Sequence, residues 1–587
     1  MVKQSNYDKF PIVRVTNRAE DCLMGWAAIA EEIKRCVTVI GKEHVTLVTE
    51  CYQGVLTAEL IAAYSRLLPE AAIFVSEAAM RPEAEINALF QEDITDDEVF
   101  GFLTRYTIDR FFDGEKTIAL RERMAAVDKG IVILVGTGAA HVCPNPDILI
   151  YADMARWEIQ QRFRRNEIGN IGTDNRNERT SMQYKRAFFV DWRICDRLKK
   201  SLMKRWDYVL DTNLPTEPKM ITRALFDKGL AEAVSRPFRV VPFFDPGPWG
   251  GQWMKEVCDL DPSVDNYAWC FDCVPEENSL LLGFGERQFE IPSIDLVFAH
   301  PAPLLGQAVY GRFGDEFPIR FDFLDTIGGG NLSLQVHPLT EYIQSRFGMH
   351  YTQDESYYML DTGDDAIVYL GLKDDIKPQE MIDALQKAQK TGHFNAADFV
   401  GVYPVKKHDH ILIPAGTVHC SGKNSMVLEI SATPFIFTFK LWDWGRLGLD
   451  GQPRPINIDH GKRVIQWERT ESWVRKELIN HTRLIENKEG VREECTGLHE
   501  REFIETRRHW FTQPVVHHTD GSVNVLNLVE GKEITVESPS NAFEPFVVHY
   551  AETFIVPAAV GDYIVRPNDE SEGKLCATIK AFVRHDA

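Results

Sequence analysis

The sequence predicts a multidomain chain: an N-terminal α/β domain built on a parallel sheet, followed by two antiparallel β domains. Three observations carry this. The chain is 587 residues long, enough for three domains of roughly 100–200 residues each. Residues 1–235 alternate apolar strand-like runs with long helical patterns. From residue 236 onward, glycine and proline punctuate short strand-like runs, a texture that breaks once for a charged stretch and then resumes.

In the first domain, VTLVT (Val45–Thr49) precedes the helical pattern TAELIAAYSRLL, and AAIFVS (Ala71–Ser76), GIVILVG (Gly130–Gly136) and DILIYAD (Asp147–Asp153) follow. Strand runs separated by helical patterns imply crossover units and a parallel sheet. In the second domain, 236–465, the runs NLSLQVHP, AIVYLGL, HILIPAGTVH and SMVLEIS read as an antiparallel barrel or sandwich. The third, 466–587, opens with a charged segment expected to be a helical linker to about residue 510. It ends in the short strands SVNVLNLVEG, KEITVES and ETFIVPAAVGDYIV.

Composition narrows the function. Hydrophobic residues make up 44% and charged residues 26%, which excludes wholesale disorder. A net charge of −22 disfavours nucleic acid and anionic membrane as partners. It leaves room for a small anionic substrate held by a few local cations. No apolar stretch approaches the ~20 residues of a membrane span, and MVKQSNYDKFPIVRV lacks the apolar run and cleavage site of a signal peptide. The 11 cysteines are scattered. Cys270 and Cys273 have no second CxxC, so reduced thiols and a cytoplasmic location are expected. The oligomeric state is left open.

The chemistry-bearing residues lie between Asn331 and Arg446. Strand alternation puts Ser333, Gln335 and His337 on one face. Glu355 follows in DESYYMLD, and His419 ends HILIPAGTVH. An amide oxygen, two imidazoles and a carboxylate without thiolate suit a borderline divalent ion such as zinc. On spacing alone His408 and His410 stay open as alternatives, and the bland reading of each histidine is a hydrogen-bonded core or surface residue.

This region resembles class I mannose-6-phosphate isomerase, a cupin-fold zinc enzyme. The matching pieces are PGPWGGQW (Pro246–Trp253), FPIRFDFLD (Phe317–Asp325), LSLQVHP (Leu332–Pro338), DESYYMLD (Asp354–Asp361), IPAGTVH (Ile413–His419), MVLEIS (Met426–Ser431) and LWDWGRLGLDGQPR (Leu441–Arg454). The resemblance implies one zinc per chain on Gln335, His337, Glu355 and His419, with Arg446 catalytic. It also implies aldose–ketose isomerisation of mannose 6-phosphate through a cis-enediol. Where the family carries a pocket lysine after FPLL, this chain reads FPIRFD. Asp322 holds the lysine's place and Arg320 offers a cation on the same face. Lys440 stands where the family often has arginine. Arg320 and Lys440 are therefore the expected substrate-binding cations. The Asp322 change keeps two further readings open: an isomerase of an unphosphorylated sugar, and a sugar-sensing protein without turnover.

The last strands resemble the family's second, non-catalytic cupin. VPAAVGDY parallels IPAGTVHC, with Val560 and Gly561 in the stretch of Val418 and His419, and His517, His518 and His549 have no QxH strand beside them. The N-terminal domain resembles a P-loop nucleoside kinase through Gly136, Gly138, Asp153, Arg162, Arg164 and Arg165. A working loop reads GxxxxGK[ST]. In ECYQGVLT (Glu50–Thr57) only Gly54 survives, Val55 replaces the lysine, and Glu50 would repel phosphate. A degenerate fold without ATP turnover is expected, with Arg162, Arg164 and Arg165 on a solvated helix face.

Overall fold

The computed structural model describes residues 5–432, 437–449, 451, 454–497, 499–500 and 502–584. The chain forms two compact units, one of Ile12–Glu232 with Ser279–Ala299 and one of Met1–Pro11, Ala233–Asn278 and His300–Ala587.

The first unit is built on a seven-stranded sheet. Five strands, Tyr208–Asp211, Ile148–Asp153, His44–Cys51, Gly130–Gly136 and Ala72–Val75, run parallel in that order. Two antiparallel strands, Lys219–Thr222 and Leu23–Met24, extend the Tyr208 edge. Every residue of Ile148–Asp153 is buried, as expected of an interior parallel strand covered on both faces. The segment 279–299 returns to this unit. Its strands Ser279–Phe284 and Arg287–Pro292 pair with each other, and Ser279–Phe284 also pairs with Ile12–Thr16. Lys199 anchors the segment, its ammonium 2.8 Å from both Asp153 and Asp295.

The arginines after Asp153 divide. Arg164 and Arg165 are exposed, but Arg162 is buried and donates to the carbonyls of Gly54 and Thr212. The solvated face expected for all three holds for two. Helical periodicity marks faces but does not reveal which one a neighbouring loop covers.

The second unit holds two barrels, each a pair of facing antiparallel sheets. In the first barrel, one sheet orders His410–Ile413, Glu355–Thr362, Ser425–Ser431, Arg320–Asp325, Trp269–Cys273 and Phe243–Asp245. The other orders Val400–Pro404, Ile367–Leu372, His419–Ser421, Leu334–Val336 and Phe439–Trp442. In the second barrel, Arg483–Lys488, Val491–Gly497, Ile504–Phe511, Cys576–Val583, Asn524–Glu530 and Thr553–Val556 face Val515–His518, Asp562–Pro567, Glu533–Glu537 and Phe546–His549. Phe511, Leu526, Leu528, Val536, Phe554 and Val565 pack its core.

The helical linker expected from 466 to 510 is corrected. Only Glu471–Glu477 in its charged body is helical, and the rest forms three strands of the second barrel. Arg483–Lys488 is an edge strand exposed at all six positions. It therefore carries no alternation of apolar and polar residues from which a strand could be read. Among the described residues no helix is long and apolar enough to cross a membrane.

Candidate metal centre

Both sheets of the first barrel contribute to one buried cluster. Glu355 opens a strand of the larger sheet, while Gln335 and His419 are cross-strand partners in the smaller one. His337 lies just past Leu334–Val336. One ligand atom from each of His337, Glu355 and His419 lies within 4.8 Å of the other two, and all three residues are buried.

Hydrogen bonding fixes the imidazoles. Nδ1 of His337 lies 2.8 Å from the Phe437 carbonyl, and Nδ1 of His419 lies 2.8 Å from the Thr417 carbonyl. A carbonyl only accepts, so both Nδ1 atoms carry the proton and both Nε2 atoms turn inward. Nε2 of His337 is 3.1 Å and Nε2 of His419 is 2.8 Å from the Glu355 carboxylate. Nε2 of His337 and Oε1 of Glu355 nevertheless make no aligned hydrogen bond. Two inward nitrogens against a carboxylate need a shared cation, either a proton or a metal ion. Burial pulls the His337 pKa down, but the charge and hydrogen bond of Glu355 outweigh it and raise it. Burial raises Glu355, yet the two imidazoles hold it well below the ordinary carboxylate range. The carbonyl-fixed rings and the mixed nitrogen and oxygen donors fit a divalent ion. The Gln335 amide nitrogen sits 3.2 Å from His419 Nε2, and a half-turn of the amide would present its oxygen.

Register places a second row beside these ligands. Arg320, Ser431 and Glu355 align across three strands, and so do Asp322, Glu429 and Tyr357. Gln353 donates to Glu355 at 2.8 Å and to Glu429 at 3.3 Å. Asp322 Oδ1, Gln353 Oε1, Tyr357 Oη and Ser431 Oγ are all buried without a hydrogen-bond partner among the described residues. Such orphaned atoms are costly unless a ligand or ordered water completes them. Sequence reasoning missed Gln353, Tyr357, Glu429 and Ser431. Strand alternation from Glu355 would have marked Tyr357, whereas Glu429 and Ser431 need the cross-strand register.

The expected substrate cations separate. Asp322 binds the Arg320 guanidinium through Nε at 2.9 Å and through Nη2, and both side chains are buried. Lys440 lies opposite Gln335. Burial together with Arg454 and Arg446 pulls its amine down to about 7, against the opposing pull of Asp443. Arg446 donates to the Asn331 carbonyl and to Asp443, each at 2.5 Å, and Arg454 donates to Asp443 at 2.8 Å. None of these bonds joins Arg446 to the three ligands. His408 and His410 lie outside the cluster. His408 contacts Tyr358 and Glu530, and His410 contacts Ser356, which faces away from Glu355 on the same strand.

The chain is 25% identical over 233 residues to the mannose-6-phosphate isomerase ManA of Bacillus subtilis, covering 40% of this chain and 69% of that protein. It is 28% identical over 152 residues to the probable mannose-6-phosphate isomerase GmuF of the same organism, covering 26% and 45%. The chain is similar to class I mannose-6-phosphate isomerases. A crystal structure of the mannose 6-phosphate isomerase from Bacillus subtilis aligns with a TM-score of 0.47 at 17% identity, over 59% of this chain and 99% of that one. A mannose 6-phosphate isomerase bound with zinc and yttrium aligns with a TM-score of 0.44 at 14% identity, over 60% and 100%. Residues 25–235 match the profile of a domain of unknown function (DUF8485).

In that N-terminal domain, the loop expected to resemble a P-loop borders a cavity of about 540 Å³ lined by residues that include Gln53–Ala58, Glu77 and Asn170. The Glu50 carboxylate is turned elsewhere and accepts from the backbone N–H groups of Gly138 at 2.6 Å and Ala140 at 2.7 Å. Burial pushes its pKa up to about 8, against those two bonds.

Proposed function

We propose that the first barrel is a metal-dependent aldose–ketose isomerase that interconverts mannose 6-phosphate and fructose 6-phosphate. One observation carries this reading: the buried, unpartnered donors and acceptors beside His337, Glu355 and His419. Together they call for a cation and a polyhydroxylated ligand. The relatives' names support a sugar phosphate.

His337, Glu355 and His419, with Gln335 as the weakest ligand, would hold one zinc ion per chain. When bound, the ion would stabilise the negative charge that grows on oxygen as a proton moves between C1 and C2. Asp322, Glu429, Tyr357 and Ser431 form a wall able to hydrogen-bond the sugar hydroxyls and exclude water. Arg446 and Arg454 set two cations against the single carboxylate of Asp443, and Lys440, its amine pulled down to about 7, adds partial charge for a phosphate. Arg446 is the cation assigned to the transition state.

The Arg320–Asp322 pair favours a second reading, an unphosphorylated sugar, because it removes one expected phosphate contact. Coupled assays of zinc-loaded protein with mannose 6-phosphate and with free mannose test both. Turnover of the phosphosugar is expected. Turnover of mannose alone would transfer the assignment to the free sugar, and sugar binding without any turnover would point to a sensor.

For the N-terminal domain we propose a kinase-like fold without ATP turnover, since Val55 stands in the lysine's place and Glu50 already occupies the Gly138 and Ala140 amides. Calorimetry should detect no ATP binding, and a micromolar affinity would refute this.

A further inference from the structure

The second barrel pairs an apolar core with a polar end that its own residues leave unsatisfied. Lys580 stands opposite Arg507 on one neighbouring strand and Leu526 on the other. Leu526 belongs to the core, so Lys580 projects into the barrel. Thr578 lies opposite His509 and the core residue Leu528 in the same way. From the facing sheet, His517 lies opposite the core residue Tyr563. The His509 and His517 rings meet with centroids 4.4 Å apart, which joins the two sheets across the interior.

These groups are buried and short of partners. Lys580 is 7% exposed. Among the described residues it has no hydrogen bond or ion pair, only the Phe582 ring at 5.4 Å. Nδ1 of His509, Nε2 of His517 and Oγ1 of Thr578 also lack hydrogen-bond partners. Both histidines are 3% exposed. Three carboxylates act on Lys580; Asp520 is exposed, and the other two are engaged. Glu505 accepts from Arg507 at 2.7 Å, and Glu493 accepts from Arg507 at 3.0 Å and lies 3.4 Å from His509 Nε2. Burial, with Arg507 adding to it, pulls the Lys580 amine down to about 8, against the opposing pull of Glu493, Asp520 and Glu505.

A buried ammonium with no carboxylate in contact keeps most of its desolvation cost, and an orphaned hydroxyl or imidazole adds to that cost. A metal ion does not suit this place, because the Lys580 ammonium would repel it and Glu493 is already committed. An oxyanion does, since it brings the missing charge and several oxygens for lysine, hydroxyl and imidazole at once. We propose that the polar end of the second barrel binds a small phosphate-bearing molecule, its phosphate held by Lys580 with Thr578, His509 and His517 as hydrogen-bond partners.

The test is calorimetric titration of the full chain with inorganic phosphate, beside thermal melting, in wild type, Lys580→Met, Thr578→Val and His517→Gln. A parallel arm with glycerol 3-phosphate tells a free ion from an ester: the tighter ligand identifies the source. Removing a charge-assisted contact should weaken phosphate binding about ten- to hundredfold in Lys580→Met, with smaller losses in the other two. Without phosphate, Lys580→Met should melt no lower than wild type, because an unpaired buried charge has been removed. If Lys580→Met does not fold, Thr578→Val and His517→Gln carry the test. Phosphate binding equal in wild type and every folded variant overturns the proposal, as does no binding at all. A second equivalent of zinc that disappears in His509→Gln would overturn it in favour of a metal.

Discussion

In the first barrel, two imidazoles meet a carboxylate between the sheets. In the second, two buried imidazoles feel the charge of a buried lysine. Both arrangements leave buried ring nitrogens without hydrogen-bond partners among the described residues, but the sign of the neighbouring charge differs. Glu355 makes the first site a place for a cation, and Lys580 makes the second a place for an anion. The turns that resemble each other in sequence diverge with it. Laid over IPAGTVHC, the segment VPAAVGDY brings Asp562 to the place of His419. Asp562 is exposed and bonds His518 at 2.7 Å, outside the barrel. On the two proposals above, similar sandwiches differ in ligand chemistry through one or two inward-facing residues, while the strands around them stay alike.

The largest effect should come from deleting that carboxylate–imidazole site. His337→Ala with His419→Ala should lower bound metal from about one equivalent to none and isomerase activity by about a thousandfold or more. Elemental analysis and a coupled assay read both. The matching pair His509→Ala and His517→Ala should leave metal content unchanged, and equal metal loss from both pairs would erase the contrast between the barrels.

Next comes the buried pair of the first barrel. Asp322→Ala removes the carboxylate that pairs with the buried Arg320 guanidinium and should cost up to about 3–5 kcal/mol of stability, measured as a shift in the urea midpoint. A double change, Arg320→Met with Asp322→Leu, should recover most of that loss. An undiminished midpoint in Asp322→Ala would mean that the other carboxylates acting on Arg320, Glu429 and Glu355, hold it as well as Asp322 does.

A smaller effect belongs to the cations beside Asp443. Lys440→Met and Arg454→Met should each raise KM for mannose 6-phosphate about ten- to hundredfold, as loss of a charged hydrogen bond does, with less change in kcat. Arg446→Ala should lower kcat and kcat/KM together. Equal effects on phosphorylated and free sugar would remove phosphate from the role of these cations.

The smallest effect concerns pH, and here the barrels should behave alike. Burial pushes the His410 pKa down to about 3, and it holds His517 well below its ordinary value. A histidine depressed in the folded state binds fewer protons there than when unfolded. Its stability contribution is therefore present above the unfolded pKa near 6.5 and is lost as pH falls toward the folded value. Each such histidine should cost up to about 1.4 kcal/mol per pH unit below 6.5. Urea midpoints at pH 7 and pH 5 should fall less in His410→Gln and His517→Gln than in wild type. Identical falls in all three proteins would place the acid sensitivity elsewhere.

The sequence by itself determined the order of textures, because buried parallel strands such as Ile148–Asp153 are apolar throughout and antiparallel runs are punctuated by turns. It also marked His337, Glu355 and His419, since their residue types and motifs are local facts. Tertiary structure alone decided the rest. It turned the charged stretch after Glu477 into strands, of which the edge strand Arg483–Lys488 is exposed throughout and shows no readable period. It buried one arginine of a set that the chain presents as alike, and it returned residues 279–299 to the N-terminal unit. It set Asp322 on Arg320, and it brought Glu429, Tyr357 and Ser431 beside the ligands through strand register. It also left Lys580 facing His509 and His517. A residue's type is written in the chain, but whether it finds a partner depends on which strands lie next to it, and that is fixed only when the sheets close.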